Sequence, residues 1–134
     1  MNTYDIDNEL RDVPNFLGVF PFDCLPRTNR ERFSFVFNTD PSNKPGKHWI
    51  AVYVTSSRTE YFDSTGKPPV IVSYLKQLGR PVYFSNYHIQ AKESIACGLF
   101  ACNFIKRRSQ GETFCEILDS FSRNTLFNDF LLSV

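Results

Sequence analysis

The sequence predicts an α+β domain, with a small mixed or antiparallel sheet packed by helices. Two patterns lead there. The first half carries short runs of aromatic and β-branched residues separated by turn formers. The second half carries longer apolar runs with helix caps at their starts. Length sets the scale: the 134 residues fit one domain, 1–134, with a core of its own. Fourteen phenylalanines exclude a disordered chain.

Taken in order, residues 1–13 are polar and acidic, either a short helical arm or a loose end. Residues 14–26 (PNFLGVFPFDCLP) are apolar but broken by Pro14, Gly18, Pro21 and Pro26, which predicts packed irregular loop. A solvated turn with three arginines follows at 27–32. Residues 33–37 (FSFVF) then predict a strand, and 38–47 (NTDPSNKPGK) a loop of turn formers. The clearest strand is 49–54 (WIAVYV), whose near-continuous apolarity predicts burial on both faces. A turn at 56–58 leads into a strand at 59–63 (TEYFD), and so short a connection predicts an antiparallel hairpin.

Pro68 and Pro69 before, and Gly79 after, frame a helix over 70–78. Residues 82–84 and 88–90 are candidates for short strands. The run 97–106 predicts a buried helix whose end holds Lys106, Arg107 and Arg108, where the helix dipole favours cations. Thr113 and Glu116 have the spacing of a capping box for a helix running through Phe121. Asn124 can cap a last helix with Leu126, Phe127, Phe130 and Leu131 apolar.

The net charge of +1 gives no global electrostatic instruction about partners. The basic clusters, Arg27/Arg30/Arg32 and Lys106/Arg107/Arg108, read as solvated loop and helix-end charge. Cys24, Cys97, Cys102 and Cys115 form no CxxC pair, and no histidine lies at zinc-finger spacing from them, so neither a metal nor another cofactor is expected. The start, MNTYDIDNEL, has no apolar signal segment. Reduced, mostly buried thiols in an intracellular protein are therefore expected, not a disulfide framework. No apolar run is long enough to span a bilayer.

Four residue types in one order suggest nucleophilic chemistry. Cys97 opens the apolar helix of QAKESIACGLFACNF, where free amides and the helix dipole favour a thiolate. Composition alone favours reading it as a small core residue. His48 lies at the mouth of the strongest strand and is either a base or a surface histidine. Asp63 ends the partner strand, where its carboxylate can accept the Nδ1 proton of His48, or can simply begin a turn. Glu60 falls on the opposite face of that strand. Gln90 is either an oxyanion donor, together with the Cys97 amide, or an exposed glutamine. Gly98 would let a substrate backbone approach the helix start. Trp49, beside His48, reads on its own as a core tryptophan. His88 has no assigned role.

Residues Asn38-Thr39 and Gly46-Lys47-His48-Trp49-Ile50-Ala51 resemble the histidine segment of adenain, the adenovirus maturation protease. Phe62-Asp63-Ser64-Thr65-Gly66 resembles its acidic segment. Gln90, followed by Ser94-Ile95-Ala96-Cys97-Gly98-Leu99-Phe100, is similar to its glutamine and cysteine segment. Phe16-Leu17-Gly18 matches an early segment, so the resemblance runs from about Phe16 to Phe104. The loop before His48, the FDSTGKPP run and the Asn128-Asp129-Phe130 ending are closer to the adenain-like proteases of Maverick/polinton elements and related viruses.

This resemblance implies a papain-clan fold, of the type shared by adenain and the ubiquitin-like-protein proteases. It implies a cysteine endopeptidase that cuts viral capsid or core precursors after small residues, with glycine favoured, in the virion or in the nucleus or cytoplasm of the host cell. Cys97 would be the nucleophile, His48 the general base and Asp63 its orienter. Gln90 would share the oxyanion hole, and Trp49 and Gly98 would bind substrate. The alternatives are an isopeptidase acting on ubiquitin or a ubiquitin-like protein, and a non-catalytic binding module on the same fold. The chain is shorter than adenain and has no cysteine near Gly79 and Arg80, where adenain cross-links its activating peptide. That peptide cofactor is not carried over, and the basic clusters give DNA activation no support.

Overall fold

The computed structural model describes residues 1–39, 48–91 and 96–133. The turn-rich run over 40–47 and the Ser94-Ile95 part of the segment before Cys97 lie outside the described residues. The elements follow as α1 (Thr3–Leu10), β1 (Phe16–Pro21), β2 (Phe33–Asn38), β3 (Trp49–Val54), β4 (Thr59–Phe62), α2 (Val72–Leu78), β5 (Val82–Phe84), α3 (Cys97–Ser109), α4 (Phe114–Asp119) and α5 (Thr125–Ser133).

The strands lie side by side in sequence order. Both β2–β3 and β3–β4 pair antiparallel, whereas β1 and β5 join the two edges in parallel, so the sheet is mixed. The expected β3–β4 hairpin is present, with Ala51 opposite Phe62 and Val54 opposite Thr59. Helix α2 ends where Gly79 takes the left-handed conformation, at φ 68°. Both capping boxes close, Asn2 with Asp5 on α1 and Thr113 with Glu116 on α4. The polar N-terminal arm is thus a true helix, and it buries Ile6 and Leu10.

Two expectations are corrected. Residues 14–26 are not all loop, because β1 lies within them. As an edge strand it tolerates its helix and strand breakers: Pro21 ends it opposite Asn38, and Gly18, at φ 131°, falls in the register break between Phe16 and Val19. Residues 88–90 form no strand. The N–H groups of Ile89 and Gln90 instead both donate to the Ser64 carbonyl, at 2.9 and 3.1 Å.

Side chains alternate along the strands, so both faces of the sheet are buried, as the apolar run of β3 predicts. One face sets Phe33, Phe35, Phe37 and Tyr61 against Ile71, at the N-cap of α2, and Leu75 within it. The other sets Val36, Trp49, Ala51 and Phe62 against α1 and α3. Full burial of each such side chain is worth roughly 1.5–3 kcal/mol over leaving it in water.

Helix α3 is fixed along that second face at two points. Phe104 stacks on Phe62 with ring centroids 4.6 Å apart and planes 3° from parallel. Nearer its C-terminus, Arg108 reaches the fully buried Glu60, Nε to Oε1 at 2.6 Å, and Arg58 holds the same carboxylate at 2.8 Å. Glu60 is therefore a structural anchor. Lys106 and Arg107 pair with Glu9 and Glu112, so each cation of that cluster has a carboxylate partner. With α3 held in this way, its N-terminus falls beside the start of β3.

Candidate active site

Cys97, His48 and Asp63 meet at that point. The hairpin brings the residue before β3 next to the residue after β4, and the His48 Nε2 to Asp63 Oδ1 distance is 2.8 Å. The sequence pointed to Nδ1 for this contact. The geometry uses Nε2 and leaves Nδ1 as the ring nitrogen for the Cys97 thiol, to which His48 is also hydrogen-bonded. The same Asp63 oxygen accepts from the Thr65 N–H at 2.9 Å and the Thr65 hydroxyl at 2.7 Å. The sequence assigns Thr65 no role at the site beyond its place in the acidic segment, although an aspartate followed two residues later by threonine is a pattern that closes on itself.

Cys97 occupies the first turn of α3 and is 5% exposed. Ala96 at the N-cap supplies no capping side chain. The Trp49 backbone N–H points at Sγ from 3.5 Å, and the Gly98 N–H also bonds to it. Burial pushes the thiol pKa up. The His48 hydrogen bond, the two amides and the imidazole charge outweigh it, and the thiol titrates below its ordinary value. The partner responds in the opposite sense. Burial alone would lower the His48 pKa, but the hydrogen bonds to Asp63 and Cys97 and their charges raise it to about 9. Burial likewise works against the Asp63 charge, yet its bonds from His48 and Thr65 hold it below the ordinary carboxylate value. The three groups therefore favour a thiolate–imidazolium pair beside a carboxylate.

Gln90 is 3% exposed, which discards the surface-glutamine reading. Its amide oxygen accepts from the Ser64 hydroxyl, one residue past Asp63. Trp49 is buried in the core facing α3, and its indole N–H donates to the Met1 carbonyl at 3.3 Å. Gly98 is buried too, and a Cβ there would stand 3.2 Å from both Trp49 Cδ1 and Met1 Cβ. Met1 thus covers the face that Trp49 and Gly98 share. Of the other cysteines, Cys102 is buried, whereas Cys24 and Cys115 are exposed, against the expectation of mostly buried thiols, and all are free. Among the described residues, no cluster of three or more His, Cys, Asp or Glu side chains suits a metal ion. Nor, among them, is any helix long and apolar enough to cross a membrane.

No protein-family model matches the chain. A protein of Acanthamoeba polyphaga mimivirus named as a thiol protease is 28% identical over 154 aligned positions, covering 90% of this chain and 51% of that protein. A cysteine protease of African swine fever virus is 22% identical over 103 positions, covering 66% of this chain and 38% of that protein. The crystal structure of the African swine fever virus protease matches 97% of this chain and 65% of its own at a TM-score of 0.66 and 18% identity. The fold is that of a viral cysteine protease. A selenomethionine crystal structure of the same protease agrees over 76% of this chain and 43% of its own, with a TM-score of 0.55 and 24% identity. The α+β protease fold expected from the sequence is therefore present. The chain spans about half, or less, of the length of the curated relatives it matches.

Proposed function

We propose that the chain is a cysteine endopeptidase of the adenain-like kind, cutting viral structural precursors at small-residue, glycine-containing sites during virion maturation. The observation that carries this reading is the chain of contacts from Cys97 through His48 to Asp63, which lowers the thiol pKa and raises that of the imidazole. The thiol and cysteine protease names of the sequence relatives support it.

In the proposed reaction the Cys97 thiolate attacks the scissile carbonyl carbon. Charge moves onto the carbonyl oxygen, where the Cys97 N–H and the Gln90 side-chain NH2 stabilise it. The tetrahedral intermediate collapses as protonated His48 gives its proton to the leaving amine, and a thioester remains. His48, now neutral, takes a proton from water as the water attacks the thioester. The second collapse returns the thiolate and releases the acid. Asp63 holds the ring and stabilises its charged form. Trp49 and Gly98 would receive the glycine side of the substrate once Met1 has moved off the face it covers.

The test is a fluorogenic peptide spanning a Gly-Gly site, assayed beside a ubiquitin-like protein fused through its C-terminus to a reporter. Cleavage of the peptide that disappears in Cys97→Ala supports the endopeptidase. Cleavage of the fusion alone favours an isopeptidase-type enzyme, and inertness toward both sinks the catalytic reading.

A further inference from the structure

Gln90 sits in a segment tied down from two sides. On one side is Ser64, whose hydroxyl donates to the Gln90 amide oxygen and whose carbonyl accepts the backbone N–H groups of Ile89 and Gln90. On the other side is α5. Asn128 donates through Nδ2 to the Ile89 carbonyl at 2.9 Å and to the Ser122 carbonyl at 2.7 Å. Its neighbour Asp129 accepts the Ala91 N–H on Oδ1 at 2.9 Å. Ser64 and Asn128 are 1% and 0% exposed, so these bonds form away from water, where their loss is costly. Residues 89, 90 and 91 are each held through the backbone.

A glutamine amide has two chemically opposite ends of nearly the same shape, and only the NH2 end stabilises negative charge on a carbonyl oxygen. Rotation about its last torsion exchanges them. With Ser64 donating to the oxygen, the NH2 end is turned away from Ser64. We infer that Ser64, Asn128 and Asp129 are positioning residues for oxyanion stabilisation. Ser64 sets which end of the Gln90 amide faces the reacting carbonyl, and the α5 pair fixes the backbone from which that side chain extends. This rests on the reading of Gln90 as an oxyanion donor. It gives the exposed C-terminal helix a task in catalysis without contact with substrate.

The experiment compares Ser64→Ala, Gln90→Ala and the double variant on the cleaved peptide, separating kcat from KM and following Cys97 alkylation against pH. Ser64→Ala is expected to lower kcat about tenfold, with KM and the alkylation profile unchanged. In the Gln90→Ala background the same change should cost less than about twofold, because the group it acts through is gone. Equal losses in both backgrounds, or a shifted alkylation profile, overturn the inference: Ser64 then acts on the fold or through Asp63. Full kcat in Gln90→Ala overturns the oxyanion reading and this inference with it, while Cys97→Ala still reports on the nucleophile. If Ser64→Ala does not fold, Asp129→Ala at its half-buried position carries the test. Its loss of kcat must require Gln90 and be restored by Asp129→Asn, which keeps an oxygen acceptor. A loss independent of Gln90 overturns the proposal.

Discussion

Cys97 and Cys102 lie on the same helix and are each 5% exposed, yet their thiols move in opposite directions. Cys97 titrates below its ordinary value, whereas burial pushes Cys102 up to about 12, with the nearby Lys106 charge only partly opposing it. Exposure therefore does not distinguish them. What differs is the immediate company. Cys97 has an imidazole and two backbone N–H groups directed at its sulfur, and Cys102 has a lysine charge that makes no hydrogen bond to it. The direction of each thiol's shift thus follows the local donors, supplied by the start of β3 and the first turn of α3, and not depth in the core.

That contrast can be broken most sharply at Cys97 itself. Cys97→Ala is expected to reduce peptide cleavage by about 10⁴-fold or more, with the melting temperature nearly unchanged, as measured by steady-state rates and thermal unfolding. Next in size is the removal of His48. Iodoacetamide labelling near pH 6, mapped by mass spectrometry, should modify Cys97 well ahead of Cys102 in the unaltered protein. In His48→Ala the Cys97 labelling should fall at least about tenfold.

Asp63→Asn should act more mildly on rate and more visibly on pH. The His48 pKa of about 9 lies above its ordinary 6.5. Its contribution to stability is therefore complete below pH 6.5 and is lost as pH rises through 9. The Cys97 thiol, held below its ordinary value, gains stability over the same range and opposes that loss, so the measurement belongs in Cys97→Ala. There the free energy of unfolding should drop by about 1 kcal/mol as pH rises above 6.5, and adding Asp63→Asn should flatten the drop. An unchanged slope would mean that Asp63 does not raise the His48 pKa. The smallest effect belongs to Cys102→Ala, expected to keep kcat within about twofold and to lower stability by about 1 kcal/mol through lost packing, read by denaturant unfolding.

Much of the fold was legible because local chemistry and tertiary position agree. Aromatic and β-branched residues make β2, β3 and β4, and Gly79 stops α2 where its left-handed geometry is required. β1 was hidden because an edge strand accepts the glycine and proline that would disqualify a central one. At the site, His48, Asp63 and Cys97 are readable as residue types in order. The choice of Nε2 is not, because it depends on how the β3–β4 hairpin sets the ring against Asp63. The anchoring of Gln90 was invisible for a similar reason: Ser64 is 26 residues from it, and Asp129 lies 38 residues beyond Ala91. No local pattern encodes pairings at that range.

The long reach of those anchors bears on timing during synthesis. A nascent chain that has emerged through Ser109 already contains His48, Asp63, Gln90 and Cys97, but not the α5 residues that bind Ile89 and Ala91. The residues that meet at Cys97 are thus made before the helix that anchors the Gln90 segment. On the proposed chemistry, such a chain turns over more slowly than the finished one and gains full activity only after α5 has been made and docked.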